Sequence, residues 1–506
     1  ALTLLFLPFL TQSQTPCVNG FAGNYPCENM DLLSHMTTDE LLAEEHGGVL
    51  LNDIWGWTDP VTGSEYAIVG MANGTSFVDV TDPINPVMLG MLPEHHQAEQ
   101  AGKVFHDGAK SVWRDIKVYK NHAFIVSEDY MHGIQIFDLT TLRNVDKSMI
   151  PVTFPEHAHY DGVSNAHNIV INEDTGFAYA VGSTGTAGCG KGGLHVINIQ
   201  DPVNPVYAGC FDIDGYTHDG QCVVYNGADA DYVGKEICFN SNGNSGGSNS
   251  LTIVDVDDKS NMAMISKTGY NGSSYSHQGW LTEDHHYFIA NDELDELYNK
   301  TNSTTFIWDV RDLDNPVMIG TYVHDTKAID HNLYIRDNYI YQSNYTNGIR
   351  VLDATNVAKA NLSEIAYFDT YPSSDITDFY GTWSNYPYFK SCNLIVSDIT
   401  GGLFILSMPD CESSSSQSAL SSKIKDELKS IEVFPMPNTG FIQFINSSEQ
   451  IISSFTIQSL SGKSVLAGEI ATGQQSIDAS SLSTGVYIIN FKMKDETITS
   501  QKLSMK

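Results

Sequence analysis

Short runs in which apolar and polar residues alternate fill most of the chain between residues 50 and 408, and no long helical period interrupts them. Two of these runs are "EYAIVG" (65–70) and "HAFIVSE" (122–128). Such alternation of β-branched and aromatic side chains predicts β-strands, and the Asp-Pro and Asn-Pro pairs between runs predict turns. The pattern predicts an all-β fold.

One strand pattern recurs along this region: a small residue, an alternating apolar run, and then Asp or a substitute. The Asp position is filled in turn by Asp79, Asp138, Asn198, Asp255, Asp309, Asp353 and Ser407. Repeats of about 55 residues that each hold about four strands are typical of β-propellers. We therefore expect a seven-bladed β-propeller over residues 45–410. The segment "EEHGGVLL" (44–51) is expected to supply the fourth strand of the last unit and close the ring.

Histidine stands at the start of the first strand in four successive units. The first strands of a propeller line its channel, so these residues should meet at one mouth: His167, His218, His277 and His331. Neighbouring polar residues are predicted to contribute to a ligand site there: Arg114, Asp115, Asp219, Gln278, Asp330 and Asn332. Imidazole suits zinc, manganese, iron or copper, so a transition-metal site is one interpretation. The alternative is that each imidazole bonds to the backbone of the next blade in a wet channel.

A second group of candidate ligands lies in "NDELDE" (291–296), with the carboxylates of Asp292, Glu293, Asp295 and Glu296. Calcium binds such oxygen-rich loops, although the spacing is not that of an EF-hand. A solvated acidic turn is the alternative interpretation. "SEDYMHG" (127–133) is the equivalent loop of the second unit, so both loops are expected at one rim.

Charge and cysteine content indicate where the protein works. There are 61 acidic and 26 basic residues, a net charge of −35, which disfavours nucleic acid as a partner. None of the eight cysteines forms a C-x-x-C pattern. Proximity along the chain predicts four disulfides, typical of exported proteins: Cys17–Cys27, Cys189–Cys210, Cys222–Cys238 and Cys392–Cys411.

The first residues, "ALTLLFLPFLTQSQTP", are expected to be the end of a secretory signal peptide, with residues 1–14 removed and residues 15–44 forming an N-terminal segment. No other apolar run is long enough for a transmembrane helix. The sequence therefore predicts an exported protein without a transmembrane segment.

Many motifs in residues 45–410 occur in the order found in one known family. They include "DIWGW", "WRDIKVY", "AHNIVINEDTGFAYAVG", "SHQGWLTED", "SNYTNGIRVLD" and "GTWSNYPYF". The region resembles the choice-of-anchor B family, which is built from LVIVD-type repeats. This resemblance implies an extracellular β-propeller with a variable surface anchor, and it implies no established activity.

The composition changes after Cys411. Residues 411–430 are Ser-rich and then mixed in charge, as expected of a linker. Residues 431–506 resemble the C-terminal sorting domain of the type IX secretion system of Bacteroidota through three motifs: Pro435-x-Pro437-Asn438, Ser461-Gly462-Lys463 and Leu482-x-x-Gly485-Val486-Tyr487. The usual first motif is Pro-Asn-Pro, so Met436 is a departure. The resemblance implies a small β-sandwich, type IX secretion machinery as a partner, and release or attachment at the cell surface.

Two classes of function remain open at this stage. The first is a binding or scaffold module outside the cell that contacts an extracellular protein or glycan. The second is a metal-dependent extracellular enzyme, similar to a polysaccharide lyase or a hydrolase, an analogy at the level of fold. The H-E-x-x-H and P-loop motifs are absent from the sequence, and the Gly-rich run that begins with "GNSGG" (243–247) follows no βα unit, so it does not predict a G-x-S-x-G nucleophile elbow. Three histidine nitrogens around one point would favour a metal.

Overall fold

The structure is a computed structural model that describes residues 14–95, 111–185, 189–243, 249–409, 411, 431–434, 440–446, 452–459, 463–470, 476–483, 485–494 and 498–505. The chain divides into two compact units, residues 1–411 and 412–506. The expected signal-peptide residues 1–13 and the Ser-rich residues 412–430 lie outside the described residues.

The first described strands lie in the N-terminal segment: β1 (Phe21–Ala22), β2 (Tyr25–Glu28) and β3 (Leu32–Met36). The first antiparallel sheet follows, with β4 (Leu51–Thr58), β5 (Glu65–Met71), β6 (Gly74–Asp79) and β7 (Val87–Pro93). The second sheet contains β8 (Arg114–Tyr119), β9 (His122–Ser127), β10 (Ile134–Asp138) and β12 (Ala158–Tyr160). Between β10 and β12 come a 3₁₀ helix (Leu139–Asn144) and β11 (Val152–Thr153), which pairs in parallel with β7 of the first sheet.

Three further sheets repeat the same order of four antiparallel strands. The third has β13 (Asn168–Asn172), β14 (Phe177–Val181), β15 (Leu194–Asn198) and β16 (Val206–Phe211). The fourth has β17 (Asp219–Val224), β18 (Glu236–Asn242), β19 (Ser250–Asp255) and β20 (Ala263–Thr268). The fifth has β21 (Ser276–Leu281), β22 (Tyr287–Asp292), β23 (Thr304–Asp309) and β24 (Val317–Val323), with the short helix α1 (Asp295–Tyr298) after β22.

The last two sheets recruit strands from the N-terminal segment. The sixth has β25 (Leu333–Arg336), β26 (Tyr339–Ser343), β27 (Ile349–Asn356) and β28 (Asn361–Phe368), with a 3₁₀ helix (Val357–Lys359) before β28, and β2 and β1 extend its outer edge. The seventh has β29 (Thr382–Tyr386), β30 (Asn393–Asp398) and β31 (Gly402–Ser407), followed by β3.

Within the described part of unit 1, the first strands of these sheets contact one another in a closed cycle: β4, β8, β13, β17, β21, β25, β29 and back to β4. Apolar side chains fill the spaces between neighbouring sheets, as where Phe77 of β6 stacks on Phe137 of β10 at 4.3 Å between ring centroids. This is the radial arrangement of a β-propeller. The predicted all-β propeller architecture is confirmed.

The expected closing strand was wrong. The fourth strand of the seventh sheet is β3, which pairs antiparallel with β31, and residues 44–50 lie outside every named strand. Gly47 and Gly48 have φ values of +58° and +89°, which an extended strand does not allow. The Cys17–Cys27 disulfide and the pairing of β2 with β28 hold the N-terminal segment against the sixth sheet, so β3 reaches the seventh.

All four predicted disulfides are present: Cys17–Cys27, Cys189–Cys210, Cys222–Cys238 and Cys392–Cys411. Cys222 and Cys238 face each other on β17 and β18, the neighbouring strands of the fourth sheet. The expectation of structural disulfides is confirmed.

Unit 2 is a separate β-structure with its own core. Its strands are β32 (Ile431–Phe434), β33 (Phe441–Asn446), β34 (Ile452–Ser459), β35 (Ser464–Glu469), β36 (Ser476–Asp478), β37 (Gly485–Met493) and β38 (Ile498–Met505). They form two sheets, in the orders β32-β33-β36 and β35-β34-β37-β38. Phe444 of the first sheet contacts Phe491 of the second at 5.1 Å between ring centroids, as in a sandwich. Residues 435–439 and 460–462, which carry two of the sorting motifs, lie outside the described residues.

Candidate metal and ligand site at the channel mouth

The structure brings the four predicted histidines side by side at the starts of the first strands of the third to sixth sheets. Their ring centroids are 4.4 Å apart for His167 and His218, 4.3 Å for His218 and His277, and 4.4 Å for His277 and His331. His218, His277 and His331 are buried, and His167 is partly exposed. The four imidazoles form one continuous arc, named here the histidine arc.

Hydrogen bonds to the backbone fix the proton positions on two of these rings. The Nδ1 of His218 lies 2.8 Å from the carbonyl oxygen of His277, and the Nδ1 of His331 lies 2.5 Å from that of Trp383. A carbonyl oxygen only accepts, so each Nδ1 carries the hydrogen and donates it. In a neutral ring the lone pair is then on Nε2, the atom free to bind a metal.

Burial keeps three of the rings neutral. Desolvation lowers the pKa of His331 to about 3 and holds those of His218 and His277 well below the ordinary histidine value. At neutral pH these imidazoles carry no charge and keep their lone pairs, which is the form that ligates metals.

Glu293 reaches the histidine arc from the loop between β22 and α1. Its Oε1 lies 3.6 Å from the Nε2 of His331, and its Oε2 lies 3.8 Å from the Nε2 of His277. One ligand atom from each of these three residues lies within 4.8 Å of the others. The Tyr345 hydroxyl donates a 2.9 Å hydrogen bond to Oε1, and burial raises the pKa of Glu293 to about 7. Glu293, expected from the sequence in a calcium loop, lies instead beside the histidines.

His167, at the other end of the arc, differs from its neighbours. Its Nδ1 lies 2.7 Å from Oε1 of Glu128, in the loop equivalent to that of Glu293. Burial alone would lower the pKa of His167, but the hydrogen bond and charge of Glu128 outweigh it and raise the pKa. His167 is therefore better suited to an ion pair than to metal ligation.

Aromatic side chains surround the imidazoles. Ring centroids of Tyr275 and His218 are 5.2 Å apart, those of Tyr345 and His331 are 4.8 Å apart, and those of Trp383 and His331 are 5.1 Å apart. Two more rings lie further out and are exposed, Trp113 near His167 and Phe379 against Tyr345. This aromatic rim offers flat apolar faces beside polar groups, a combination suited to binding organic ligands.

The predicted polar neighbours mostly hold the sheets together. Gln278 donates from Nε2 to the carbonyl of Leu333 and accepts from the Leu333 N–H, both at 3.0 Å. Asn332 donates to Asp53 at 3.3 Å and to Ser384 at 3.2 Å. Gln278 thus bonds to the backbone of the next first strand, and Asn332 bonds to side chains of other first strands. The backbone bonds that the alternative interpretation expected for the imidazoles are made by His218 and His331 through Nδ1.

A second polar layer surrounds Lys117 on β8. Its Nζ lies 2.5 Å from Oδ1 of Asp115 and 3.8 Å from Oδ2 of Asp53. Asp115 also accepts from the N–H of Ile169 at 2.7 Å. Burial raises the pKa of Asp219, whose charge also acts on Lys117, to about 7. Asp115 and Asp219, predicted as ligand residues, thus belong to a network centred on a buried lysine.

Arg114 is also fully buried and engaged. It donates to the carbonyl of Met71 at 2.8 Å, contacts Nε2 of His132 at 2.9 Å and pairs with Glu94 at 3.3 Å. None of these partners belongs to the histidine arc, so the guanidinium stabilises the contact between the first and second sheets.

The four carboxylates of 292–296 occupy three different environments. Glu293 lies at the arc, and Asp292 accepts from the Tyr270 hydroxyl at 2.7 Å and from the Ser274 and Tyr275 N–H groups. Asp295 and Glu296 are buried; desolvation and the nearby Asp292 raise the pKa of Asp295 to about 7, and desolvation with the charge of Asp330 raises that of Glu296 to about 12. The segment is therefore neither a solvated turn nor a single loop gathering all four carboxylates around one ion.

Sequence reasoning missed the tyrosines and the lysine. Tyr216 and Tyr275 each stand two positions before a histidine of the arc, in "YTHDG" and "YSHQG", and this repeated spacing was a usable signal. Tyr345 lies in a loop of the sixth sheet, and Lys117 lies inside a strand that reads as an ordinary alternating run. Neither of these positions is marked by a repeated motif.

Comparisons with known proteins agree with both units. Residues 432–506 match the family described as secretion system C-terminal sorting domain, and residues 246–268 match the LVIVD repeat. The second match spans β19 and β20 of the fourth sheet. The tail indicates an exported protein, at the cell surface or outside the cell, that is handled by type IX secretion machinery. The wider choice-of-anchor B assignment stays a prediction.

No curated protein matches the chain. A solved β-propeller domain of Myceliophteria thermophila Cps50 (Swd1) is similar at a TM-score of 0.44 and 10% identity, over 68% of this chain and 92% of that one. At that level the fold assignment rests on the sheets described above. Among the described residues, no helix has the length and apolar character needed to cross a membrane.

Proposed function

We propose that the protein is a secreted binding module that holds a divalent transition metal at the channel mouth through His277, His331 and Glu293. The observation that carries this proposal is the position of one carboxylate 3.6 Å and 3.8 Å from two imidazole Nε2 atoms. Two histidines and a carboxylate are a known zinc ligand set, and three protein ligands leave a coordination position open.

The surroundings of these three residues support ligation. The carbonyl of Trp383 holds the Nδ1–H of His331, which aims Nε2 as metal-binding histidines are usually aimed. The Tyr345 hydroxyl fixes the carboxylate of Glu293 in the same way. A cation would give that carboxylate a partner of opposite charge. The net charge of the protein, −35, favours cation binding in general.

The ligand that fits this mouth is an extracellular glycan. The exposed rings of Trp113 and Phe379 provide stacking surfaces, and the open metal position takes one oxygen donor such as a sugar hydroxyl. The acidic surface favours uncharged sugars over polyanions. A binding screen of glycans and extracellular proteins distinguishes the two kinds of ligand. An extracellular protein that binds elsewhere would not be displaced by free sugars.

Zinc and manganese titration of the chelator-stripped full chain, followed by calorimetry, tests the metal. All titrations are made with the second metal site proposed below removed by Glu156→Gln, and we then expect one binding event that is lost in His331→Ala and weakened in Glu293→Gln, while His122→Ala binds as its parent does. Equal metal affinity in all four proteins, each carrying Glu156→Gln, would overturn the proposal.

A metal-dependent enzyme is the second candidate, and one observation favours it. The ring of His218 lies 4.3 Å from that of His277 and donates through Nδ1, which leaves the Nε2 lone pair to accept a proton beside the metal. Incubation with extracellular polysaccharides, followed for chain cleavage, tests this candidate. Activity lost in His218→Ala while metal binding persists would support an enzyme, and no cleavage by metal-loaded wild type would exclude those substrates.

A further inference from the structure

We propose that His95, Glu156 and His159 form a second transition-metal site, at the contact between the first and second sheets. His95 follows β7, the fourth strand of the first sheet, and His159 lies on β12, the fourth strand of the second sheet. Glu156 lies between β11, which pairs with β7, and β12. A metal here would add a link between two sheets that already meet through apolar packing, short strand pairing and the contacts of Arg114.

The three side chains already converge. The Nδ1 of His95 lies 3.0 Å from Oε1 of Glu156, and the Nδ1 of His159 lies 3.5 Å from Oε2. One ligand atom from each of the three residues lies within 4.8 Å of the others. This span is about twice the 2.0–2.2 Å of zinc–nitrogen and zinc–oxygen bonds, so one ion can contact all three.

The imidazoles of His95 and His159 lie face to face. They stack with centroids 3.8 Å apart and an angle of 21° between the planes. Two protonated imidazoles at this separation would repel each other, and a single carboxylate would balance only one charge. A metal ion lets both rings stay neutral while it offsets the carboxylate.

The hydrogen bonding of the cluster is incomplete without a further partner. Both ring nitrogens of His159 are shielded from water and make no hydrogen bond, since 3.5 Å to Glu156 is too long for a good one. Both carboxylate oxygens of Glu156 face imidazole nitrogens, Oε1 at 3.0 Å from Nδ1 of His95 and Oε2 at 3.5 Å from Nδ1 of His159. A carboxylate beside an unsatisfied imidazole is a site prepared for a cation.

Neighbouring groups define the edge of this second site. Gln135 donates from Nε2 to Oε2 of Glu156 at 3.3 Å and to the carbonyl of Pro93 at 3.0 Å, which orients the carboxylate. His132 lies 6.4 Å from His95 between ring centroids, with its Nε2 committed to Arg114. The ligand set is thus two histidines and one glutamate, in a class that takes zinc or another late first-row metal.

The test must separate this site from the channel mouth. In the His331→Ala background, where the proposed channel ligand is removed, chelator-stripped full chain is titrated with Zn²⁺ and then with Co²⁺. We expect about one equivalent of bound metal and a Co²⁺ absorption spectrum typical of nitrogen and oxygen ligands. Adding His159→Gln or Glu156→Gln should remove the metal and the spectrum.

A matched control is available in the His286–Asp284 pair, where Nδ1 and Oδ2 are 3.0 Å apart, because this pair and the adjacent His285 are not one of the groups of three converging ligand atoms among the described residues. His286→Gln in the same background should keep the metal. Glu156→Gln is close in shape to the parent side chain, so it tests the site even if His159→Gln does not fold, and circular dichroism confirms folding. The proposal is overturned if the His331→Ala protein binds no metal, or if folded Glu156→Gln binds as much as its parent.

Discussion

Two polar layers of the channel wall use similar residues for different purposes. In the histidine arc, His218 and His331 each donate a hydrogen bond from Nδ1 to a backbone carbonyl, which leaves Nε2 available as a ligand atom. In the layer around Lys117, the carboxylate of Asp115 accepts from the lysine and from the Ile169 N–H, so both of its oxygens are used. His218 and Asp219 are adjacent in the chain, yet one belongs to each layer.

The contrast shows what distinguishes a site from a polar wall. Buried polar groups in a folded protein are normally satisfied by internal partners, and Asp115 follows that rule. Metal ligands need lone pairs that the fold orients but does not occupy, as at His331 beside Glu293. A polar residue at the start of a first strand is therefore a candidate ligand. Its hydrogen bonds determine whether its lone pairs are available to a metal or are used within the channel wall.

The largest effect is expected from Lys117→Met, which removes the cation between Asp53 and Asp115. Leaving buried carboxylates without a counter-charge typically costs about 3–5 kcal/mol of unfolding free energy. Urea unfolding measures this loss, while metal binding per folded molecule should stay at the wild-type level. Lys235→Met, at an exposed pair with Asp255 3.0 Å away, is the control and should change stability by less than about 1 kcal/mol. Equal losses of unfolding free energy in the two variants would show that the layer around Lys117 is no more important for stability than an exposed ion pair.

His331→Ala should reduce metal affinity more than stability, which is the reverse of the effect expected from Lys117→Met. Metal affinity should fall by at least about 100-fold, the upper range for loss of a supporting partner alone. The free energy of unfolding should fall by about 1–3 kcal/mol, because the substitution removes a hydrogen bond to the Trp383 carbonyl and the packing of a buried ring. Calorimetry and urea unfolding on the same preparation check both numbers. A large loss of stability with unchanged metal affinity would assign His331 to the structural layer.

Metal affinity at the channel mouth should fall as the pH drops through about 7. Burial raises the pKa of Glu293 to about 7, so the proton competes with the metal for this carboxylate below that pH. His331, with a pKa of about 3, contributes little competition in this range. Calorimetry between pH 5 and 8 measures the dependence, and Glu293→Gln should flatten it. From ordinary imidazoles, the sequence predicts a loss of metal affinity below about pH 6.5. If the pH dependence of metal affinity in Glu293→Gln equals that of wild type, protonation of the histidines and not of Glu293 causes it.

The smallest effect is expected from His122→Ala. His122 begins β9, and its Nδ1 bonds to the carbonyl of Lys120 at 2.8 Å, apart from both polar layers. Stability should change by no more than about 0.5 kcal/mol, as at most surface positions. Metal content equal to that of wild type, measured by elemental analysis, is the expected result, and a loss comparable with that of His331→Ala would show that histidine substitutions act non-specifically.

Repetition made the fold and the histidine arc accessible to sequence reasoning. Alternating runs and recurring Asp positions specify strands and their order, and a residue repeated at equivalent places must converge in a radial fold. Residues outside the repeat were not accessible in this way. Glu293 enters the mouth through a loop, and β3 closes the seventh sheet through contacts between residues more than 300 positions apart, as Leu32 with Leu406. Local patterns do not encode either placement.

A crystal structure of the full chain soaked with Zn²⁺, with anomalous scattering recorded at the zinc edge, tests the central claim most directly. The account predicts an anomalous peak about 2.0–2.3 Å from the Nε2 atoms of both His277 and His331 and from an oxygen of Glu293. A peak confined to other residues, or none at the channel mouth, would contradict it and leave the histidine arc as part of the channel wall.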